Sequence, residues 1–407
     1  MDHVAFARKY FVESRDKRSR IWIFSEEEPS SFLRGSVQFG HKDFTIHIVD
    51  QFAGRQPILL NYEAFTADEI QIPFRPTAIL DANVVSNLHR FVTSPSRLAS
   101  SVRQAVEEFL RFVVRKRFDY NPFFYYIEGA AKNDDRVFLS YAVPVTQSIL
   151  TLHTMDGDYF LETGKISTLQ SQLEFYEEEY KVKGLEVVAA MHARAMVCPL
   201  DRRIDGLSRL IYASLLKTAV IHRSSRRPIH QKYEELLRFF GESLDIAMGI
   251  ERVVALIFFC GQFDSFIPIQ SGSRSGRVLE RLRATAWDLV LLRLPTRMLV
   301  ADDNEVTLGY VTTSDRALRQ AADACQIEAV VGLEPKRTVP LVFLRYDFAL
   351  LGERLGRDTV NELRVIDEDF QRRRVGRLGD TDERISWDTL IGLTELLESD
   401  VARLCGS

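Results

Sequence analysis

The stretch "TAILDANVVSNL", Thr77 to Leu88, joins two patterns of different period. Thr77, Ala78, Ile79 and Leu80 form a short apolar lead-in, as a buried strand requires, and Val84, Val85 and Leu88 then fall at helical spacing. Asp81 stands at the junction, and Asn83 follows two residues later. An Asx residue at such a place caps the helix that comes after it. It also sits at the carboxyl end of a strand, where open α/β sheets build their ligand sites. On this stretch alone both readings stay open, so companions for Asp81 have to be sought along the chain.

The chain has 407 residues, 46% of them hydrophobic and 27% charged, which is the profile of an ordinary globular protein with more than one average domain's worth of core. A formal net charge of −4 excludes a globally basic nucleic-acid binder but leaves room for a locally basic surface. Cys198, Cys260, Cys325 and Cys405 are scattered without a CxxC pair, which argues for reduced thiols rather than a zinc site or a disulfide framework. The opening "MDHVAFARKYF" lacks the apolar run of a signal peptide, and "VVALIFFCG" (Val253 to Gly261) is about half the length a membrane helix needs. A cytoplasmic protein is expected.

Residues 1–75 read as a β-rich segment, with strands expected at "RIWIF", "DFTIHIVD" and "PILLNY". From about Leu98 to Ala286 the periodicity is mainly helical. Strand patterns return in "LGYVTTSD" (Leu308 to Asp315) and "IEAVVGL" (Ile327 to Leu333), with a helix through "RALRQAADAC" between them. Strand, helix, strand favours a parallel sheet. The fold class expected is therefore α/β: a central parallel sheet within residues 76–335, interrupted by a mainly helical insertion over 135–283, and followed by a strand plus helical segment over 336–407.

Three further acids accompany Asp81. Glu128 follows the aromatic run of "FDYNPFFYYIEG", which also carries Asp119 and Asn121. Asp288 lies among Trp287, Leu289 and Val290, where an unpaired carboxylate is expensive and needs Arg293, a helix N-terminus or a metal as its partner. Asp315 repeats the logic of Asp81, closing a strand that ends in Thr312, Thr313 and Ser314, and it too can be a cap. Glu251 and Asp245 are competing acids, and Glu251 reads as a charge on the wet side of its helix. Together, Asp81, Glu128, Asp288 and Asp315 make an oxygen-donor set suited to Mg²⁺ or Mn²⁺. Carboxylates around such an ion activate water and stabilise the leaving oxygen of a phosphodiester.

"AILDANVVSNL" resembles the opening strand and helix of PIN-domain nucleases, and Glu128, "TAWDLVLLRL" and "GYVTTSDRAL" look like the later acidic segments of that family in the same order. The similarity covers chiefly residues 77–130 and 284–333 and requires a large insertion between Glu128 and Asp288. It implies a PIN-like, Mg²⁺- or Mn²⁺-dependent endonuclease, with RNA the expected substrate. Asp81, Glu128, Asp288 and Asp315 would be the catalytic, metal-binding acids, and Asn83 and Thr313 would orient them.

Basic residues precede two of these acids, in "VVRKRFDYNPFFYYIE" and "SRSGRVLERLRATAWD", where they would draw phosphates toward an acidic site. Others cluster at Arg15, Lys17, Arg18 and Arg20, at Arg223, Arg226 and Arg227, and at Arg372, Arg373, Arg374 and Arg377. Tyr120, Phe123, Phe124, Tyr125 and Tyr126 either stack exposed bases or fill the core. The competing expectation is a non-enzymatic scaffold on the same α/β fold, binding a protein partner or a second copy of itself.

Overall fold

The computed structural model describes residues 8, 9, 11, 13, 19–66, 73–197, 202–264, 266–270, 272–300, 306–332, 341–345, 355–376 and 385–406. Nine strands lie among them: β1 (Arg20–Pro29), β2 (Val37–His41), β3 (Phe44–Val49), β4 (Arg55–Leu60), β5 (Phe74–Leu80), β6 (Asp119–Asn121), β7 (Val306–Thr313), β8 (Gln326–Gly332) and β9 (Leu341–Arg345). They form two sheets, ordered β2-β3-β7-β5-β6 and β4-β1-β8-β9.

The helices that follow β5 are α1 (Ala82–Thr93), α2 (Ser100–Lys116), α3 (Phe123–Lys132), α4 (Asp135–His153), α5 (Gly157–Thr163), α6 (Gln170–Tyr180) and α7 (Leu185–Val197). Then come α8 (Arg202–Ser224), α9 (Ile229–Arg238), α10 (Gly249–Phe259), α11 (Ser275–Leu291), α12 (Leu294–Met298), α13 (Arg316–Ala324), α14 (Arg357–Gly376) and α15 (Trp387–Gly406). None is long and apolar enough to cross a membrane, among the described residues.

Two compact units divide the chain. The first comprises Met1–Asp201, Leu291–Asp323 and Ile327–Val342, and the second Arg202–Val290, Ala324–Gln326 and Phe343–Ser407. Most of residues 135–283 are helical, as their periodicity predicts, but α4 to α7 belong to the first unit and α8 to α11 almost wholly to the second.

The stretch that opens the sequence reading becomes β5 and α1. β5 runs parallel to β7, from Phe74↔Val306 to Leu80↔Thr312, and parallel to β6, from Thr77↔Asp119 to Ile79↔Asn121. Pro76 is tolerated in this central strand for a geometric reason. The Asp81 amide donates to Thr312 O, so by alternation Pro76 faces the β6 side, where pairing begins only at Thr77. Gly309 of β7 has a comparable cause: a Cβ there would lie 2.7 Å from Ile79 Cδ1 and 3.2 Å from the Pro295 Cα at the start of α12. Only a residue without a side chain lets α12 approach the strand this closely.

The sheet is mixed rather than wholly parallel. β3 pairs antiparallel to β7 and β2 antiparallel to β3, so part of the β-rich N-terminal segment completes the sheet that carries Asp81. β8 departs from expectation. The pattern from Leu308 to Leu333 predicts two strands of one parallel sheet, yet β8 pairs antiparallel with β1, Ile21↔Val331 and Ile23↔Ala329, in the second sheet. The edge beside β7 is already taken by β3, and β1 offers β8 a long apolar partner in which Ile21, Trp22 and Phe24 are buried. Nonlocal pairing of this kind leaves no mark on a local pattern.

Candidate active site

Asp81 answers both readings of its junction. Its backbone is extended while Ala82 begins α1, and Oδ1 accepts from the Val84 amide at 2.6 Å, capping the helix. An N-cap bond of this type contributes about 1 kcal/mol. Oδ2 turns the other way, to the end of β7, where it accepts from the Thr313 hydroxyl and from the Ser314 amide at 3.2 Å. The parallel pairing of β5 with β7 makes this reach short, because it brings both strand ends to one edge of the sheet.

Asp81 is only 6% exposed. Burial is the chief reason its carboxyl is pushed up to about 6, against hydrogen bonds from Thr313, Val84 and Ser314 that pull it down. The charge of Glu128 adds to the rise. Thr313, wholly buried, donates to Asp81 and accepts from the Asp315 amide at 2.9 Å, so one hydroxyl links the two strand-end acids.

The Asp315 side chain is exposed and acts as a helix cap: Oδ1 accepts from the Ala317 amide at 2.7 Å and the Leu318 amide at 3.1 Å, at the start of α13. Glu128 lies on α3, with its side chain 12% exposed and Oε1 paired to Lys132 Nζ at 2.6 Å. Asn83 is exposed on the first turn of α1. Asp119 is engaged within β6 and with Arg75, whose guanidinium lies 3.0 Å from Oδ2.

The first unit thus holds Asp81, Glu128 and Asp315, while Asp288 is half-buried on α11 in the second. Among the described residues no group of three or more His, Cys, Asp or Glu side chains is placed to share one metal ion. Glu251 is not on a wet helical face. It is 2% exposed, because every residue of α10 from Ile250 to Phe259 is buried. The aromatic run resolves toward the core, with Tyr120, Phe124 and Tyr126 buried and Phe123 and Tyr125 half-buried. Of the basic clusters, Arg15, Lys17, Arg18 and Arg377 lie outside the described residues.

Sequence reasoning passes over the polar groups on the other side of Thr313. His47 is its partner across the β3–β7 ladder, and directly opposed antiparallel residues project to the same face. Lys42, in the β2–β3 turn, and Arg316 and Arg319, on α13, stand around His47 in a groove. Arg316 was legible as the neighbour of Asp315, but its meeting with Lys42 depends on the β3–β7 pairing.

No protein-family model matches this chain, and no curated protein or solved structure matches it either.

Proposed function

We propose that the edge formed by the ends of β5 and β7 is the active edge of a PIN-like, cation-dependent phosphodiester hydrolase, with RNA as substrate. The observation that carries this reading is the joining of Asp81 to Thr313 and Ser314 at the carboxyl ends of two adjacent parallel strands. A buried carboxyl held up near 6, with a second acid adding to its rise, gains from any cation that approaches it.

The donor set of the first unit fits Mg²⁺ or Mn²⁺ in a restricted sense. Mg²⁺ is commonly held by one or two carboxylates together with waters and substrate phosphates, and Asp81 and Glu128 are the pair for that arrangement. Such an ion, when bound, supplies charge stabilisation to the phosphoryl oxygens and acidifies a water. Asp81 would ligate through the one lone pair that its internal hydrogen bonds leave, on Oδ1. Glu128 would ligate or accept a proton from the attacking water at Oε2, while Lys132 holds Oε1. Thr313 and the Ser314 amide fix the Asp81 carboxylate plane. Asp315, whose Oδ1 is occupied as a cap, positions Thr313 through its amide.

The test is cleavage of end-labelled mixed-sequence RNA and DNA, with Mn²⁺ or with EDTA, by the wild-type protein and by Asp81→Asn and Glu128→Gln. Mn²⁺-dependent cutting of RNA that both substitutions abolish, in protein shown to be folded by circular dichroism, is the expected result. If folded wild-type protein cuts neither nucleic acid, the reading fails. The internal bonds of Asp81 then serve the fold alone, and an interaction scaffold accounts for them.

A further inference from the structure

The groove beside Thr313 has a composition that a purely structural role does not require. It encloses about 390 Å³ between the β2–β3 hairpin and α13. Lys42, Arg316 and Arg319 line it against a single carboxylate, Asp323. Asp323 is occupied by the protein itself, accepting from Arg319 Nε at 3.3 Å and from the Ser36 hydroxyl at 3.1 Å. Lys42 and Arg316 have no carboxylate partner among the described residues. Arg316 instead donates to the Lys42 carbonyl oxygen at 3.1 Å, which clamps the hairpin turn to the helix and keeps the two cations together.

The groove's floor is polar and already settled. His47 is 2% exposed, and its Nε2 lies 2.9 Å from the Thr45 hydroxyl. Burial, and then the positive charge of Arg319 and Arg316 against the opposing charge of Asp323, push the His47 ring down to about 4. A neutral ring at physiological pH leaves Lys42, Arg316 and Arg319 as the groove's cations, and their excess charge calls for an anion. Arginine forks match the geometry of phosphate oxygens, and lysine supplies a point charge.

We propose that this groove binds a phosphate group and, resting on the phosphodiesterase reading above, that the phosphate belongs to a nucleic-acid strand lying along the β5–β7–β3 edge. The register sets the scale. His47 and Asp81 lie on strands two apart, about 10 Å at the usual strand spacing. That separation spans only a few successive phosphates of one strand. The groove would therefore anchor a phosphate a few nucleotides from the one at Asp81, holding the strand without touching the scissile bond.

The experiment measures binding of a labelled single-stranded RNA in EDTA, where cleavage does not intervene, by fluorescence anisotropy across a salt series. The Lys42→Ala/Arg316→Ala double variant should bind about tenfold more weakly, with a salt slope shallower by roughly 1 to 2. Lys165→Ala, an exposed cation just after α5, serves as the control and should bind like wild type. Asp323→Asn should bind about two- to threefold more tightly, a gain that misfolding cannot mimic. Inorganic phosphate and a nucleoside monophosphate, titrated in parallel, distinguish the sources. If they bind with the same sensitivity to the variants while RNA does not bind, the strand assignment is overturned. If no phosphate species responds to these substitutions, the groove proposal is overturned. RNA binding that depends on the groove in a protein that never cleaves would remove the hydrolase reading and leave the phosphate site standing. Cleavage with unaltered binding by the double variant would do the reverse.

Discussion

The Thr313 hydroxyl donates to the Asp81 carboxylate, tying the end of β7 to the end of β5 across 232 positions of sequence. The same hydroxyl accepts from the Asp315 amide. Removing it while keeping the shape, by Thr313→Val, leaves a buried carboxylate short of one donor and an amide short of its acceptor. A hydrogen bond to a charged group contributes about 1.5 to 3 kcal/mol, and a loss of that order is expected in urea unfolding at pH 7.5. Thr313→Ser, which keeps the hydroxyl, should cost less than half as much. At pH 4.5, where Asp81 holds its proton, the Val penalty should shrink.

Asp81 and His47 give opposite pH dependences, and single variants separate them. The Asp81 pKa is raised from 3.8 to about 6, so between those values the folded chain holds a proton that the unfolded chain has released. Its contribution is full below about 3.8 and is lost as pH rises through about 6, a change on the order of 3 kcal/mol. His47 is lowered from 6.5 to about 4. Its contribution is full above 6.5 and is lost as pH falls toward 4. Asp50, also raised to about 6 by burial, shares the sign of Asp81. The difference in unfolding free energy between wild type and Asp81→Asn should therefore change most between pH 4 and 6, with the Asn protein gaining relative stability as pH rises. For His47→Gln the relative gain should come on acidification. A pH-independent difference for Asp81→Asn would mean that the carboxyl titrates normally.

In the second unit, Arg252 and Asp367 form an ion pair of 3.0 Å with side chains only 6% and 3% exposed. Asp367 also accepts from the Tyr233 hydroxyl at 2.6 Å and from Gln371 Nε2 at 2.6 Å, so three donors from two other segments and its own helix converge on one carboxylate. Asp367→Ala removes the carboxylate on which these three donors converge, and breaking a buried pair in this way costs about 3 to 5 kcal/mol. Chemical unfolding should show the loss. Exchanging Arg252 for Met at the same time should recover part of it, because the buried charge that has lost its Asp367 counterion is then gone.

The strand at Thr77–Leu80, the helix from Ala82 and the return of a strand before Asp315 were legible because each is a local pattern, an apolar run or a 3.6-residue repeat, set off by Asp81 or Asp315. That the two strands are parallel neighbours followed from their shared ending. The partition of the sheets did not follow, since β8 joins β1 and β3 joins β7 through pairings that no local window contains. Glu251 misled because a lone acid in a helix reads as wet unless the remaining faces are also apolar, as those of α10 are. The groove around His47 was invisible for the first of these reasons: Lys42 and Arg316 are 274 positions apart and meet only through the mixed sheet.

The raised carboxyl of Asp81 makes a specific demand on any cation that binds it. A cation stabilises the ionised form, so it must first displace the proton that burial favours. Below about pH 6 this competition weakens binding, and above it the ion relieves a burial cost the folded chain otherwise carries. Millimolar Mn²⁺ should therefore raise the melting temperature at pH 7.5 and have little effect at pH 5. An ion at a hundred times its dissociation constant adds about 2.7 kcal/mol of stability when it binds the native state alone. Asp81→Asn should abolish the shift at both pH values, and Glu128→Gln should reduce it. Ca²⁺ makes a useful comparison, because it accepts more oxygen ligands at longer distance and is poorly served by two carboxylates. A melting temperature indifferent to Mn²⁺ at pH 7.5 would remove the cation from this edge. An equal shift at pH 5 and 7.5 that survives Asp81→Asn would place it elsewhere on the chain.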